Sequence, residues 1–364
     1  MEIADLLSLE SSILVARHKP GEAEPKLRRA LELVTDALGD LHPKTLRTRV
    51  ALGTALAMLG RHREGAILVE SSAVLAATAL GAETPMLAQL YDGIGAYWEL
   101  SGEMGQAAEY SQKALKIYET AFGSNNHQVL VPHGNLCGQL GNLGRIEAAL
   151  VHCQRALDLA SLAAYGGGFN LGDVENNFGA AMARTRRWED AEEHYEKALK
   201  VWRDTLPAHD IRIALVLSNL AECDAALGRS LRAQQRYSES LQLRERAVGP
   251  AHPLVITPLV ALVHLLVARG DVEAAVPLAE RAVDVATSTG SPLDLARSRE
   301  ALARALFRRA GQEREATRLI RLAEETYTGM GELTKPDLER LERWAEGSQG
   351  PRRGRTRTPS PPTP

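Results

Sequence analysis

The sequence predicts an all-α solenoid of about eight antiparallel helix pairs, and three observations carry the prediction. The first is a 42-residue period: Ala23, Gly65, Ala107, Ala149, Ala191, Ala233 and Ala275 stand one period apart, each with at most a methyl side chain. The second is that two further phases hold the same period. One gives Ala30, Ser72, Ala114, Ala156, Ala198, Ser240 and Ala282, and the other gives Leu52, Ile94, Leu136, Phe178, Leu220 and Leu262. The third is composition. Hydrophobic residues make up 45% of the chain but aromatics only 4%, so the core is built from Ala, Leu and Val, which let helices approach closely.

Each period reads as two helices and two turns. In the sixth copy, Ile211 to Leu227 places Ile213, Val216, Leu217, Leu220 and Ala221 on one face of a helix, and Gly228 stops it. A second helix follows with Leu231, Ala233, Tyr237, Leu241 and Leu243 and ends at Gly249, where glycine takes a left-handed cap conformation at low cost. Pro253 then opens the next unit, at a position where a missing N–H does no harm. Gly60, Gly102, Gly144, Gly228 and Gly270 mark the turn inside the unit, and Gly39, Gly81, Gly123 and Gly249 the turn between units. Tyr165-Gly166-Gly167-Gly168 and Leu206-Pro207-Ala208-His209 replace the usual linker, which predicts local kinks. Near Ala303, Gly311, Ala316 and Ala323 an eighth unit is one residue out of register.

The predicted organisation is therefore a solenoid over residues 1–333, a capping helix over 334–346 containing Trp344, and a disordered tail over 347–364 rich in Pro and Arg. The first helix exposes Ile3, Leu6, Leu7, Ile13 and Leu14 with no preceding unit to cover them. The expectation drawn from this is that a domain once preceded Met1 or that the start codon is misplaced.

The net charge of −3 argues against a nucleic-acid footprint, which needs a clustered basic face. Arg352, Arg353, Arg355 and Arg357 make the tail basic and leave the body mildly acidic. Cys137, Cys153 and Cys223 are odd in number and show no CxxC or Cys/His spacing, so they read as small core residues in a reducing compartment rather than as a disulfide or zinc site. No leader peptide and no window of eighteen apolar residues is present, so the expected location is the cytoplasm, with no membrane contact. The excess of Arg over Lys and the abundance of Ala point to a bacterial gene rich in G and C.

At this point a family is visible. The order small residue, turn, small, aromatic, small resembles the tetratricopeptide repeat, and the linkers Ala37-Leu38-Gly39-Asp40-Leu41-His42-Pro43 and Val248-Gly249-Pro250-Ala251-His252-Pro253 resemble its kinesin-light-chain type. The resemblance implies a right-handed superhelix whose first helices line a concave groove. It places Asp92, Asn135, Gly138, Asn176, Asn177, Ser218, Asn219 and Glu222 in that groove, with Gln89, Glu99, Asn142 and Arg184 nearby. Asn135, Asn177 and Asn219 are one period apart. Two readings of this ladder stand side by side: the amides pair with the backbone of an extended peptide, or they bond to a neighbouring helix and solvate the face. Only Arg184 resembles the basic residues of the carboxylate-clamp subtype, so chaperone C-terminal tails are excluded as ligands.

Enzyme chemistry finds no support, since GxxxxGK[ST], HExxH, GxSxG and GxGxxG are all absent. His42 and His252 share a linker phase and read as turn-stabilising residues, and His264 as a lone polar residue of a first helix. Trp98, Trp188 and Tyr195 occupy packing phases. The sequence thus indicates a non-enzymatic scaffold, without cofactor or metal, that binds a protein or peptide partner in its groove. The alternative is the sensor or docking part of a bacterial signalling protein such as a serine/threonine kinase.

Overall fold

The computed structural model describes residues 2–17, 19–81, 83–162 and 168–348. The tail from 349 onward and the linker residues Tyr165 to Gly167 lie outside them, as do the expectations of disorder and of a kink made there. The described residues are helical throughout. The helices are α1 (Glu2–Ala16), α2 (Pro20–Leu38), α3 (Pro43–Met58), α4 (His62–Leu80), α5 (Pro85–Leu100), α6 (Met104–Phe122), α7 (Leu130–Asn142), α8 (Ile146–Leu162), α9 (Gly168–Arg184) and α10 (Trp188–Thr205). They continue with α11 (Ile211–Ala226), α12 (Ser230–Val248), α13 (Ile256–Ala268), α14 (Val272–Thr289), α15 (Pro292–Leu306), α16 (Glu313–Met330) and α17 (Lys335–Ser348). Eight successive pairs and one final helix result. The chain divides into two compact units, 1–233 and 234–364.

The three sequence phases are the core. Ala23, Ala107, Ala149, Ala191, Ala233 and Ala275 are fully buried, as are Ala30, Ala114, Ala156, Ala198 and Ala282. Leu52, Ile94, Leu136, Phe178, Leu220 and Leu262 are buried as well. Helix starts are set by one linker phase. His42 Nδ1 accepts from the Lys44 N–H at 3.2 Å, Asn126 Oδ1 from Gln128 at 3.0 Å, Asp210 Oδ1 from Arg212 at 3.0 Å and His252 Nδ1 from Leu254 at 3.2 Å. Each satisfies a donor that the first helical turn would leave open. Pro253 opens a short 3-10 turn, Pro253–Val255, rather than α13 itself.

In four pairs of the first unit, α3/α4 to α9/α10, the two helices meet at residues sixteen apart. A Cβ added at Gly95 would lie 3.2 Å from Ser111 Oγ, and one added at Gly179 would lie 2.7 Å from Tyr195 Cδ1. In the α7/α8 pair the same two phases hold Cys137 and Cys153, and here the sequence expectation is overturned: the two are joined by a disulfide, with Cα atoms 4.8 Å apart and both side chains buried. Spacing along the chain gave no warning because the partners lie on separate helices. Cys223 is buried and takes no part in that disulfide, as expected of a core residue.

The intra-pair turn uses a left-handed residue, Gly144 at φ 72° for example. One period later the position is Arg186, also left-handed at φ 59° and, among the described residues, the one non-glycine in that region. A Cβ in this region is strained.

In the second unit, α17 packs onto α15 and α16. Glu300 is fully buried and accepts from Arg304 Nη2 at 2.7 Å, Arg340 Nη2 at 2.9 Å and the Tyr327 hydroxyl at 3.0 Å. Burial alone would raise its carboxyl, but Arg340 and Arg304 hold it below the usual range. Asp337 takes Arg297 and Arg340 at 3.0 and 2.8 Å, Leu341 is buried, and the Arg304 guanidinium lies 4.9 Å from the Trp344 ring. At the other end α1 leaves Ile3, Leu6 and Leu9 more than 60% exposed.

Two outcomes follow. Thiol titration of the denatured, unreduced chain finds Cys223 alone, all three cysteines react after reduction, and opening the sixteen-residue loop costs about 3 kcal/mol in denaturant unfolding. Arg186→Gly raises the stability of the first unit by roughly 0.5–1 kcal/mol, because relief of left-handed strain exceeds the added freedom of the unfolded chain.

Candidate functional site: the first-helix face

In the first unit α3 lies against α5, α7 against α9 and α9 against α11, and a hydrogen bond from Gln139 to Glu99 links α7 to α5. Contacts one period apart hold this face together. Asn177 Nδ2 on α9 donates to the Gly134 carbonyl of α7 at 3.3 Å, and Asn219 Nδ2 on α11 donates to Asn176 Oδ1 at 3.0 Å. Gly138 makes room for the first of these, since a Cβ there would lie 2.9 Å from Asn177 Nδ2. The Arg184 guanidinium donates to Asn142 Oδ1, and Asn142 Nδ2 faces Met104 Sδ at 3.8 Å.

The predicted residues therefore do different things. Asn177 and Asn219 each spend one amide N–H on a neighbouring helix, which fixes the amide plane. Asn135 is half-buried on α7, and Ser218 is buried on α11. Asn142, Arg184 and Glu222 are exposed and form a polar edge. Although the residue is exposed, the neighbouring helices partly desolvate the Glu222 carboxyl and raise it, and Arg184 acts against that rise.

Asp92 is the outlier. The Tyr118 hydroxyl donates to its Oδ2 at 3.2 Å, while Oδ1 is shut away from solvent without a hydrogen-bond partner. The bond to Tyr118 turns the residue into the stack rather than toward a ligand, and burial there pushes its carboxyl up to about 7. Glu99 is likewise raised by burial and accepts from Gln139 Nε2 at 3.1 Å. One residue was missed: Asp173 on α9, half-buried and pushed up to about 6 by burial, with Arg212 opposing. It stands two periods after Gln89, and following that phase along the chain finds it. Among the described residues no group of three or more His, Cys, Asp or Glu is placed to hold a metal ion, and no helix is long and apolar enough to cross a membrane.

Comparison with known proteins decides the family. The tetratricopeptide-repeat model matches residues 2–73, 128–204 and 212–288. The chain belongs to the tetratricopeptide-repeat family. Among curated relatives, mitochondrial tetratricopeptide repeat protein 19 of Homo sapiens is 30% identical over 137 residues, covering 38% of this chain and 35% of that protein. A clustered mitochondria protein homolog of Neosartorya fischeri is 24% identical over 222 residues, 60% of this chain and 17% of the relative. The chain thus spans about a third or less of the curated relatives it matches.

Two solved structures share the tetratricopeptide-repeat fold. A Rap protein complexed with competence and sporulation factor superposes with a TM-score of 0.60 at 15% identity, covering 96% of this chain and 99% of that one. The apo form of the quorum sensor NprR from B. thuringiensis gives 0.62 at 16% identity, covering 89% and 87%. At such identities the likeness is one of fold. The fold is that of a protein-interaction scaffold.

Asp92 yields a test by pH. Its carboxyl titrates near 3.8 when unfolded and near 7 when folded, so between those values the native state holds the extra proton and stability falls as pH rises. Asp92→Asn should stabilise the first unit at pH 8, leave it nearly unchanged at pH 4, and flatten the slope between; thermal melts across that range measure it.

Proposed function

We propose that the first-helix face between α5 and α11 binds an extended peptide segment of a partner protein, without chemistry of its own. The observation that carries this reading is the row of amides at one period, Asn135, Asn177 and Asn219, two of them oriented by bonds to the adjacent first helix. An oriented amide still offers a donor and acceptor, and a row of them matches main-chain groups whatever the side chains. Orientation in advance lowers the ordering cost of binding. Exposed Val131 and Leu215 on α7 and α11 add apolar contact beside the row, and Arg184 with Glu222 adds charge of both signs. The Rap structure holds a competence and sporulation factor, which supports the choice of a peptide-class ligand for a stack of this architecture.

Panning a displayed library of random peptides against the chain tests it. Enriched peptides should lose roughly 1 kcal/mol of affinity for each lost hydrogen bond in the Asn135→Ala, Asn177→Ala, Asn219→Ala variant, with circular dichroism confirming an intact stack. Peptides that bind the variant equally well would overturn the proposal.

A further inference from the structure

A second surface, the seam between the two helices of a pair, differs from pair to pair in a way that leaves a cavity. Four phases line this seam: three on the first helix and one on the second. In α5/α6 they are Tyr91, Ile94, Trp98 and Tyr110; in α7/α8, His133, Leu136, Leu140 and His152; in α9/α10, Glu175, Phe178, Met182 and His194. Rings meet in each, with centroids 5.6 Å apart for Tyr91 and Tyr110, 5.0 Å for His133 and His152, and 4.1 Å for Phe178 and His194. In α3/α4 the four residues are Arg49, Leu52, Leu56 and Leu68, and no ring is present.

What the missing rings leave is a cavity of about 560 Å³ open to the surface. Four leucines, Leu31, Leu52, Leu56 and Leu68, line it together with two arginines, Arg28 and Arg49, and three carboxylates. Leu52 and Leu56 are only 2% and 1% exposed, so its floor is apolar while its rim is charged. The two guanidinium groups are held in place, Arg28 by Glu24 at 3.0 Å and Glu64 at 2.6 Å, Arg49 by Asp40. A void of this size forfeits dispersion contacts that a packed seam would make, and it falls in the range of small-ligand sites.

We propose that the cavity between α2, α3 and α4 is a binding site for an aromatic ring of indole or phenol size. The chain itself shows what fits: the three following seams are closed by rings. It also shows a cation beside such a ring, since Lys113 Nζ lies 4.6 Å from the Tyr110 centroid. Fixed guanidinium planes at the rim offer the same attraction to a ring entering from outside, whereas an aliphatic ligand would gain nothing from them.

Titration of the full chain with free indole and, separately, with N-acetyl-tryptophanamide, followed by methyl NMR, tests the site. The expected result is saturable shifts of the Leu52 and Leu56 methyl groups. Leu56→Trp with Leu68→Tyr, which installs the residues of the α5/α6 seam, should weaken indole binding about tenfold or more because the ring's volume is then filled from within. Should that double variant lose helicity, Leu56→Phe serves as the reading. Response to both ligands supports a ring carried by a partner's side chain, and response to indole alone supports a free small molecule. No saturable shift with either ligand, or undiminished binding in a folded filled variant, would overturn the site. The triple asparagine variant should bind indole as the native chain does, so this test and that of the first-helix face fail independently.

Discussion

The first unit depends on one close approach, repeated in four successive pairs: a small first-helix residue set against a second-helix residue sixteen positions on. Gly95 meets Ser111, Gly179 meets Tyr195, and Cys137 is bonded to Cys153. Where the first helix carries glycine, the second can bring anything from a hydroxyl to a phenol ring onto its backbone. The close approach is thereby kept while the chemistry of the contact changes. Only under that condition can identical turns and caps recur every 42 residues, because the linker must span the same gap each time.

This explains what the sequence could disclose. The buried Ala, Ser and Leu phases were legible because packing forbids variation there, and the left-handed glycines because a Cβ at those positions is strained. Arg186 shows that the second rule bends where the first does not: it keeps the glycine's conformation at a cost the stack absorbs. The disulfide was illegible for a different reason. Motif rules look for cysteines a few residues apart on one chain segment, whereas Cys137 and Cys153 are neighbours through the pairing of two phases. Knowing that the partners of Gly95 and Gly179 lie sixteen residues later would have found it.

The face was legible in part. A phase fixes which side of a helix a residue occupies but not how far its side chain reaches. Asn177 and Asn219 share the predicted phase and reach the next helix, whereas Asp92 turns inward to Tyr118. The difference follows from neighbours: Gly134 and Gly138 leave the α7 backbone open to an amide, while a phenol within the stack draws the Asp92 carboxyl away from water. Electrostatics then sorts the face. Carboxyls of Glu99, Asp173 and Glu222 are all raised by desolvation, so they hold charge less readily than surface acids. Neutral amides are left as its most dependable polar groups.

Seam and face also respond differently to change. A residue on the first-helix face touches its counterparts one period away, so altering one rung disturbs the next. A seam is closed within a single pair and its neighbour, so its four residues can be Tyr, Ile, Trp and Tyr in one place and Arg, Leu, Leu and Leu in another without disturbing the period. Individual chemistry therefore collects in the seams. The ring-free seam at α3/α4 sits among the same caps and turns as its neighbours, and its void survives because the surrounding helices are held at a distance set elsewhere, by the close approach inside these pairs. A stack so spaced does not collapse around a missing side chain, and that rigidity separates a lasting cavity from a packing defect that closes.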